Sequence, residues 1–92
     1  MDIRQALGAA LRSARMSRGL TQEDFAIVSS RTYMSTLERG VYSPTLDKLQ
    51  EISKVLGVHP LTLLSMAYMQ RDSKSASELL DMVEQELERL GA

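Results

Sequence analysis

The sequence predicts an all-α fold, and three observations carry that expectation. Apolar residues recur at helical spacing in nearly every segment, whereas no stretch alternates convincingly at the period of two that a half-buried strand needs. Helix start and stop residues punctuate the chain at short intervals. The connections between these segments are only a few residues long, as in small helical domains.

A first helix is expected over residues 3–18, with Ile3, Leu7, Ala10, Leu11 and Ala14 on one face and Arg4, Arg12 and Arg18 in solvent. Gly19 follows as a residue able to take the left-handed backbone that closes a helix, and Leu20 is placed to fold back over the last turn. Thr21 is an N-cap with Asp24 as its capping-box partner, starting a short second helix through Phe25 and Ala26 to about residue 28. Either Ser29 or Ser30 caps a third helix that runs to about Arg39 and stops at Gly40. Ser43-Pro44 reads as the next start, serine at N-cap and proline at the first helical position. Leu46, Leu49, Ile52, Ser53 and Leu56 line the inner face of that fourth helix, and Gly57 ends it. His59-Pro60 opens a fifth, where Leu61, Leu64 and Tyr68 share a side. After the linker-like Asp72-Ser73-Lys74-Ser75, a sixth helix is expected over residues 76–90. The domain expectation is therefore residues 1–71 as a five-helix unit and 72–92 as an acidic amphipathic helix.

Thr21-Gln22-Glu23, Ala26, Ser30-Arg31-Thr32-Tyr33-Met34-Ser35, Leu37-Glu38-Arg39-Gly40, Ser43-Pro44-Thr45-Leu46 and Val55-Leu56-Gly57-Val58 occur in that order. This series resembles the Xre/lambdoid-repressor (Cro/C1-type) helix-turn-helix family, whose usual wording is close to TQEELAEKLGVSRSYISRLERG. The resemblance covers residues 5–66. In one place the chain departs from it. Ala26 and Met34 are eight positions apart where the family has ten, and Val28-Ser29-Ser30 replaces the turn glycine.

The resemblance implies a recognition helix that enters the major groove of double-stranded DNA. The residue types fit, because short polar side chains near such a helix N-terminus reach base edges. Ser30, Arg31, Thr32, Ser35 and Thr36 are the candidate base readers, and Met34 and Leu37 turn back into the core. Arg31 leads this set, since a guanidinium bonds guanine O6 and N7 together. Gln22 matches the family's phosphate-holding glutamine, at a helix start where free N–H groups also favour an anion. Arg39, Tyr42 and Ser43 are further phosphate candidates, and Tyr33 serves either a phosphate or the core. In the family's phage repressors the residue matching Glu38 pairs with an arginine late in the first helix. Arg15 occupies that slot, so a structural Arg15–Glu38 ion pair is expected.

Length and composition fit this reading and exclude several others. Ninety-two residues, 43% hydrophobic and 25% charged, suit one globular domain. Every apolar run is far short of the roughly 18–20 residues of a membrane span. The N-terminus lacks a secretory pattern, and there are no cysteines, which excludes disulfides, thiolate zinc and thiol catalysis. A reducing cytoplasm is the expected location. His59 is the only histidine and reads as a helix cap, and no nucleophile–base pair or phosphate loop is evident. No metal, cofactor or enzymatic activity is expected.

The net charge of −1 conceals an asymmetry. Residues 1–71 hold nine Lys and Arg against six Asp and Glu, while residues 72–92 hold two against six. On the last helix Ala76, Leu80, Val83, Leu87 and Leu90 follow a 4-3-4-3 spacing, widened by Leu79 and Met82, with Glu78, Asp81, Glu84, Glu86 and Glu88 around them. This stripe must be covered. A homodimer is the favoured reading, with Met66, Met69, Leu80, Val83, Leu87 and Leu90 at the interface, and the helix packing on its own domain is the competitor. The expectation is thus a DNA-binding regulator, most simply a homodimeric repressor on a near-palindromic operator. Two alternatives remain open: an antitoxin whose acidic last helix covers a basic toxin, and a protein-interaction adaptor that keeps the fold without binding DNA.

Overall fold

The first helix, α1 (Ile3–Ser17), is the spine on which the rest assembles. Asp2 caps it, accepting from the Gln5 N–H at 2.9 Å while the Gln5 side chain accepts from the Asp2 N–H at 3.1 Å. In this computed structural model, which describes residues 1–92, Ala6, Leu7, Ala10 and Leu11 are buried along its inner face. The chain leaves α1 through a Schellman closure, with the Leu20 N–H bonded to the Arg15 carbonyl at 3.0 Å.

The expected second helix is a single 3-10 turn, Gln22–Phe25. Asp24 accepts from the Thr21 N–H at 2.7 Å, and the Asp24 N–H bonds the Thr21 carbonyl rather than its hydroxyl. With two residues fewer than the family spacing, this segment closes by i to i−3 bonds, which wind the chain more tightly than α-helix. Phe25 is fully buried, and its carbonyl accepts from both the Val28 and Ser29 N–H groups. The Lys48 ammonium donates to the Val28 carbonyl from outside the turn and sits 5.8 Å from the centre of the Tyr33 ring.

Helix α2 (Arg31–Glu38) begins at Ser30, whose Oγ accepts from the Tyr33 N–H at 3.0 Å. Met34 and Leu37 are buried beneath it. Helix α3 (Leu46–Leu56) starts two residues later than expected: Thr45, not Ser43, is the N-cap and accepts from the Lys48 N–H at 3.1 Å. Pro44 therefore belongs to the extended approach. Leu46, expected inside, is 80% exposed, because it is the first helical residue and precedes the face that Leu49, Ile52, Ser53 and Leu56 bury. The Ser53 hydroxyl is buried without a hydrogen-bond partner, as is that of Ser29.

Helix α4 (Pro60–Asp72) is capped by His59, whose Nδ1 accepts from the Leu61 N–H at 3.0 Å, and it packs chiefly along α1 through Leu63 and Ala67. Helix α5 (Ala76–Arg89) follows a left-handed Ser73 and a Ser75–Glu78 capping box. The Ser75 N–H and then its hydroxyl hold the Glu78 carboxyl below its ordinary range. Leu79 alone of α5 is buried, and every residue from Val83 onward is exposed. The chain thus has five α-helices and a 3-10 turn, where six helices were expected.

Two contacts fix α2 on α1. At Gly8 a Cβ would lie 2.4 Å from the Leu37 carbonyl oxygen and 2.7 Å from that of Glu38, so the helices meet backbone to backbone. Gly40, left-handed at φ 74°, lets the chain turn under α1, where a Cβ would lie 2.8 Å from the Gln5 Cα. Nearby, Arg15 Nε donates to Glu38 Oε2 at 2.7 Å and Nη2 to Oε1 at 3.0 Å. Arg15 Nη1 also donates to the Leu20 carbonyl at 2.9 Å, tying the loop into the same clasp. The hydrogen bond to Glu38 raises the Arg15 pKa further, against the opposing effect of burial.

Two outcomes follow for unfolding in urea. Gly8→Ala lowers stability by about 1–3 kcal/mol, because overpacking against fixed backbone outweighs the helix-propensity gain of roughly 1 kcal/mol. Arg15→Met leaves the Glu38 carboxylate buried without its partner and costs about 3 kcal/mol.

Candidate nucleic-acid interface

The exposed surface over the 3-10 turn and α2 is a polar ridge. Two open clefts run along it, and neither has an apolar lining residue. One, of about 350 Å³, lies among Arg15, Thr21, Gln22, Glu23 and Arg31. The other, of about 250 Å³, lies among Arg12, Arg15, Gln22, Ser35, Glu38 and Arg39. Arg15 and Gln22 border both, so the clefts are neighbours across the 3-10 turn.

The candidate base readers divide by local geometry. Ser30, Arg31 and Thr32, at the start of α2, are exposed. The Ser30 hydroxyl is partly engaged as the helix cap. Arg31 extends toward the 3-10 turn, its Nη1 3.3 Å from Glu23 Oε1, and both side chains are 72% exposed. Ser35 is half-buried and borders the second cleft. Thr36 is half-buried too, and its hydroxyl donates to the Tyr33 carbonyl at 2.7 Å, which leaves its methyl group and lone pairs for outside contact.

The phosphate candidates lie around this centre. The Gln22 amide donates to Glu38 Oε1 at 3.4 Å, so the side chain rests against the ion pair. Arg39 is exposed beyond the end of α2 and folds back toward the Ser35 carbonyl at 3.3 Å. Tyr42 and Ser43 are exposed in the loop that follows. Tyr33 packs against the core, under the Lys48 ammonium.

Two side chains at this surface lie outside the set expected from the sequence. Arg12 was assigned to plain solvent, yet it stands one helical turn before Arg15 and borders the cleft with Gln22 and Arg39. That i, i+3 spacing from the ion-pair arginine was the available signal. Glu23 contacts Arg31, eight positions further along the chain, and no local pattern announces it.

The proposed dimer residues do not form one patch. Leu80 and Val83 join Leu61, Leu64, Tyr68 and Leu79 around an apolar groove of about 240 Å³ between α4 and α5. Leu87 and Leu90 continue outward on α5, exposed. Met66 faces the other way, beside Ala14, Leu56 and Val58, because α4 turns that side toward α1. Met69 is half-buried and does not border the groove.

The shape of the ridge suits a duplex groove. An α-helix with its side chains is about 10–12 Å across, and the major groove, about 12 Å wide, admits one. No three His, Cys, Asp or Glu side chains converge as metal ligands, and no helix is long and apolar enough to cross a membrane.

Known proteins share this arrangement. The helix-turn-helix family model matches residues 11–63, from the middle of α1 into α4. An uncharacterised HTH-type transcriptional regulator, y4dJ, of Sinorhizobium fredii (strain NBRC 101917 / NGR234) is 39% identical over 67 residues, which are 71% of this chain and 87% of that protein. The control protein C.BamHI of Bacillus amyloliquefaciens is 41% identical over 66 residues, 68% of this chain and 82% of that one. Two crystal structures of the clp gene regulator ClgR from Corynebacterium glutamicum superpose on it. One has a TM-score of 0.71 at 35% identity, covering 76% of this chain and 94% of the other. The second has a TM-score of 0.70 at 32% identity, covering 98% of this chain and 90% of the other. With the family model spanning more than half its length, the chain belongs to the Xre/Cro/C1-type helix-turn-helix family of DNA-binding transcriptional regulators.

Proposed function

We propose that this regulator binds a near-palindromic operator as a homodimer and represses by occluding a promoter. The observation that carries the DNA-reading part is the exposed Ser30-Arg31-Thr32 start of α2, presented on a helix that the Arg15–Glu38 clasp holds in place. Arg31 reads a guanine, and Thr32, Ser35 and Thr36 add hydroxyl or thymine-methyl contacts. Gln22, Arg39, Tyr42 and Ser43, with Arg12 from α1, hold phosphates on either side and set the register. Tyr33 contributes from beneath, through its hydroxyl edge.

The apolar stripe of α5 supports the dimer. Leu80 is 56% exposed, Val83 40%, Leu87 46% and Leu90 81%, a continuous run that its own domain covers only in part. The groove beside it, with Leu61 and Tyr68 on its α4 wall, extends that surface. A second copy covering both would bring two recognition helices onto half-sites roughly 34 Å apart. In this reading residues 1–71 are the DNA-binding unit and 72–92 the dimerisation element, working in the cytoplasm without cofactor or catalysis. The exposed Glu84, Glu86 and Glu88 favour one second reading, in which a basic protein partner covers α5.

Selection of bound sequences from random DNA tests specificity and half-site spacing together. On the selected operator Arg31→Ala is expected to lose about 1–3 kcal/mol of binding, and to lose selectivity at one base pair per half-site. Equal affinity and selectivity in that variant would refute the readout. Measured by light scattering, the full chain is expected at twice the monomer mass and a chain ending at residue 71 at the monomer mass. Two monomers would refute the dimer.

A further inference from the structure

Three acidic side chains lie in the 3-10 turn and α2, and two are committed to the fold. Glu38 is held by Arg15, and Asp24 closes the start of the 3-10 turn on the Thr21 N–H. Glu23 has no such task. Its side chain is 72% exposed on the surface that meets a polyanion, where a carboxylate repels phosphate, and its one partner is Arg31.

We infer that Glu23 is a positioning residue for base readout, holding the Arg31 guanidinium in the orientation that selects guanine. The inference rests on the reading of Arg31 as a base reader. A guanidinium is a planar fork with five N–H donors. Glu23 engages Nη1, which leaves donors on Nη2 and Nε for the paired acceptors of a guanine edge. In water an exposed pair of this kind is worth little, since screening and side-chain entropy oppose it. Between protein and DNA the water is largely displaced, and the same contact strengthens as the local dielectric falls. Glu23 then acts in two directions. It raises discrimination by restraining Arg31, and it lowers affinity for arbitrary DNA by adding a negative charge at the phosphate surface.

These opposed effects separate the proposal from a background charge. Binding is measured by fluorescence anisotropy on three duplexes: the selected operator, the operator with the Arg31-dependent guanine replaced, and a random sequence. The proteins are the full-length chain and its Glu23→Ala, Glu23→Gln and Arg31→Ala variants, each checked by thermal unfolding. Glu23→Ala is expected to bind the random duplex more tightly, by about two- to threefold, while its preference for the guanine falls by about tenfold. Glu23→Gln keeps an acceptor oxygen, so it is expected to show the same gain on random DNA and retain most of the guanine preference. A uniform gain on all three duplexes with Glu23→Ala, preference intact, overturns the inference and leaves Arg31 as a reader. An unchanged guanine preference in Arg31→Ala overturns the base-reading premise, and the inference with it.

Discussion

Glu38 stands where α1, the 3-10 turn and α2 meet, and the interface geometry depends on what that carboxylate accepts. Arg15 grips both of its oxygens, and the Gln22 amide leans on one of them. A bidentate pair fixes direction as well as distance, which a hydrophobic contact does not. The pair is nearly dry, with 14% and 5% of the two side chains exposed, so much of its Coulomb energy offsets desolvation. Its contribution is therefore chiefly orientational. It sets the angle at which α2 leaves the body of the domain, while Gly8 sets how close the two backbones come.

The charge distribution follows the same division between body and surface. A net charge of −1 is a poor guide to a chain whose arginines at 12, 31 and 39 lie on one ridge and whose acids crowd α5. Steering toward a polyanion depends on local potential, and an acidic helix elsewhere weakens the long-range field without occupying the ridge. The excess of positive charge on residues 1–71 is modest, which keeps the sequence-independent attraction to a polyanion low.

Most of the fold was legible in the sequence because caps and apolar periods are local. His59 before Pro60, Ser30 before Arg31 and Asp24 after Thr21 each act within three residues, and each does so here. Ser43-Pro44 misled because local chemistry favours serine followed by proline as a start, whereas the helix as packed begins at the weaker cap Thr45. The 3-10 turn was hidden for a different reason. The shortage of two residues was visible in the sequence, but that it is absorbed by tight winding of the second helix follows only once both neighbouring helices are placed. In the candidate site, Arg15 with Glu38 was readable through family likeness, whereas the Glu23 contact to Arg31 and the cleft beside Arg12 depend on the path of the intervening turn.

Lys48 illustrates how far that dependence reaches. Its ammonium donates to the Val28 carbonyl and lies over Tyr33, so a residue of α3 braces the shortened turn from outside. The stretch from Thr21 to Gly40 is consequently not a cassette that carries its own geometry. Its turn depends on a side chain outside it, and a longer turn placed here would push the Val28 carbonyl away from Lys48. Turn length and the residue at position 48 are therefore coupled in this chain, whereas the exposed side chains of α2 can be exchanged without disturbing either.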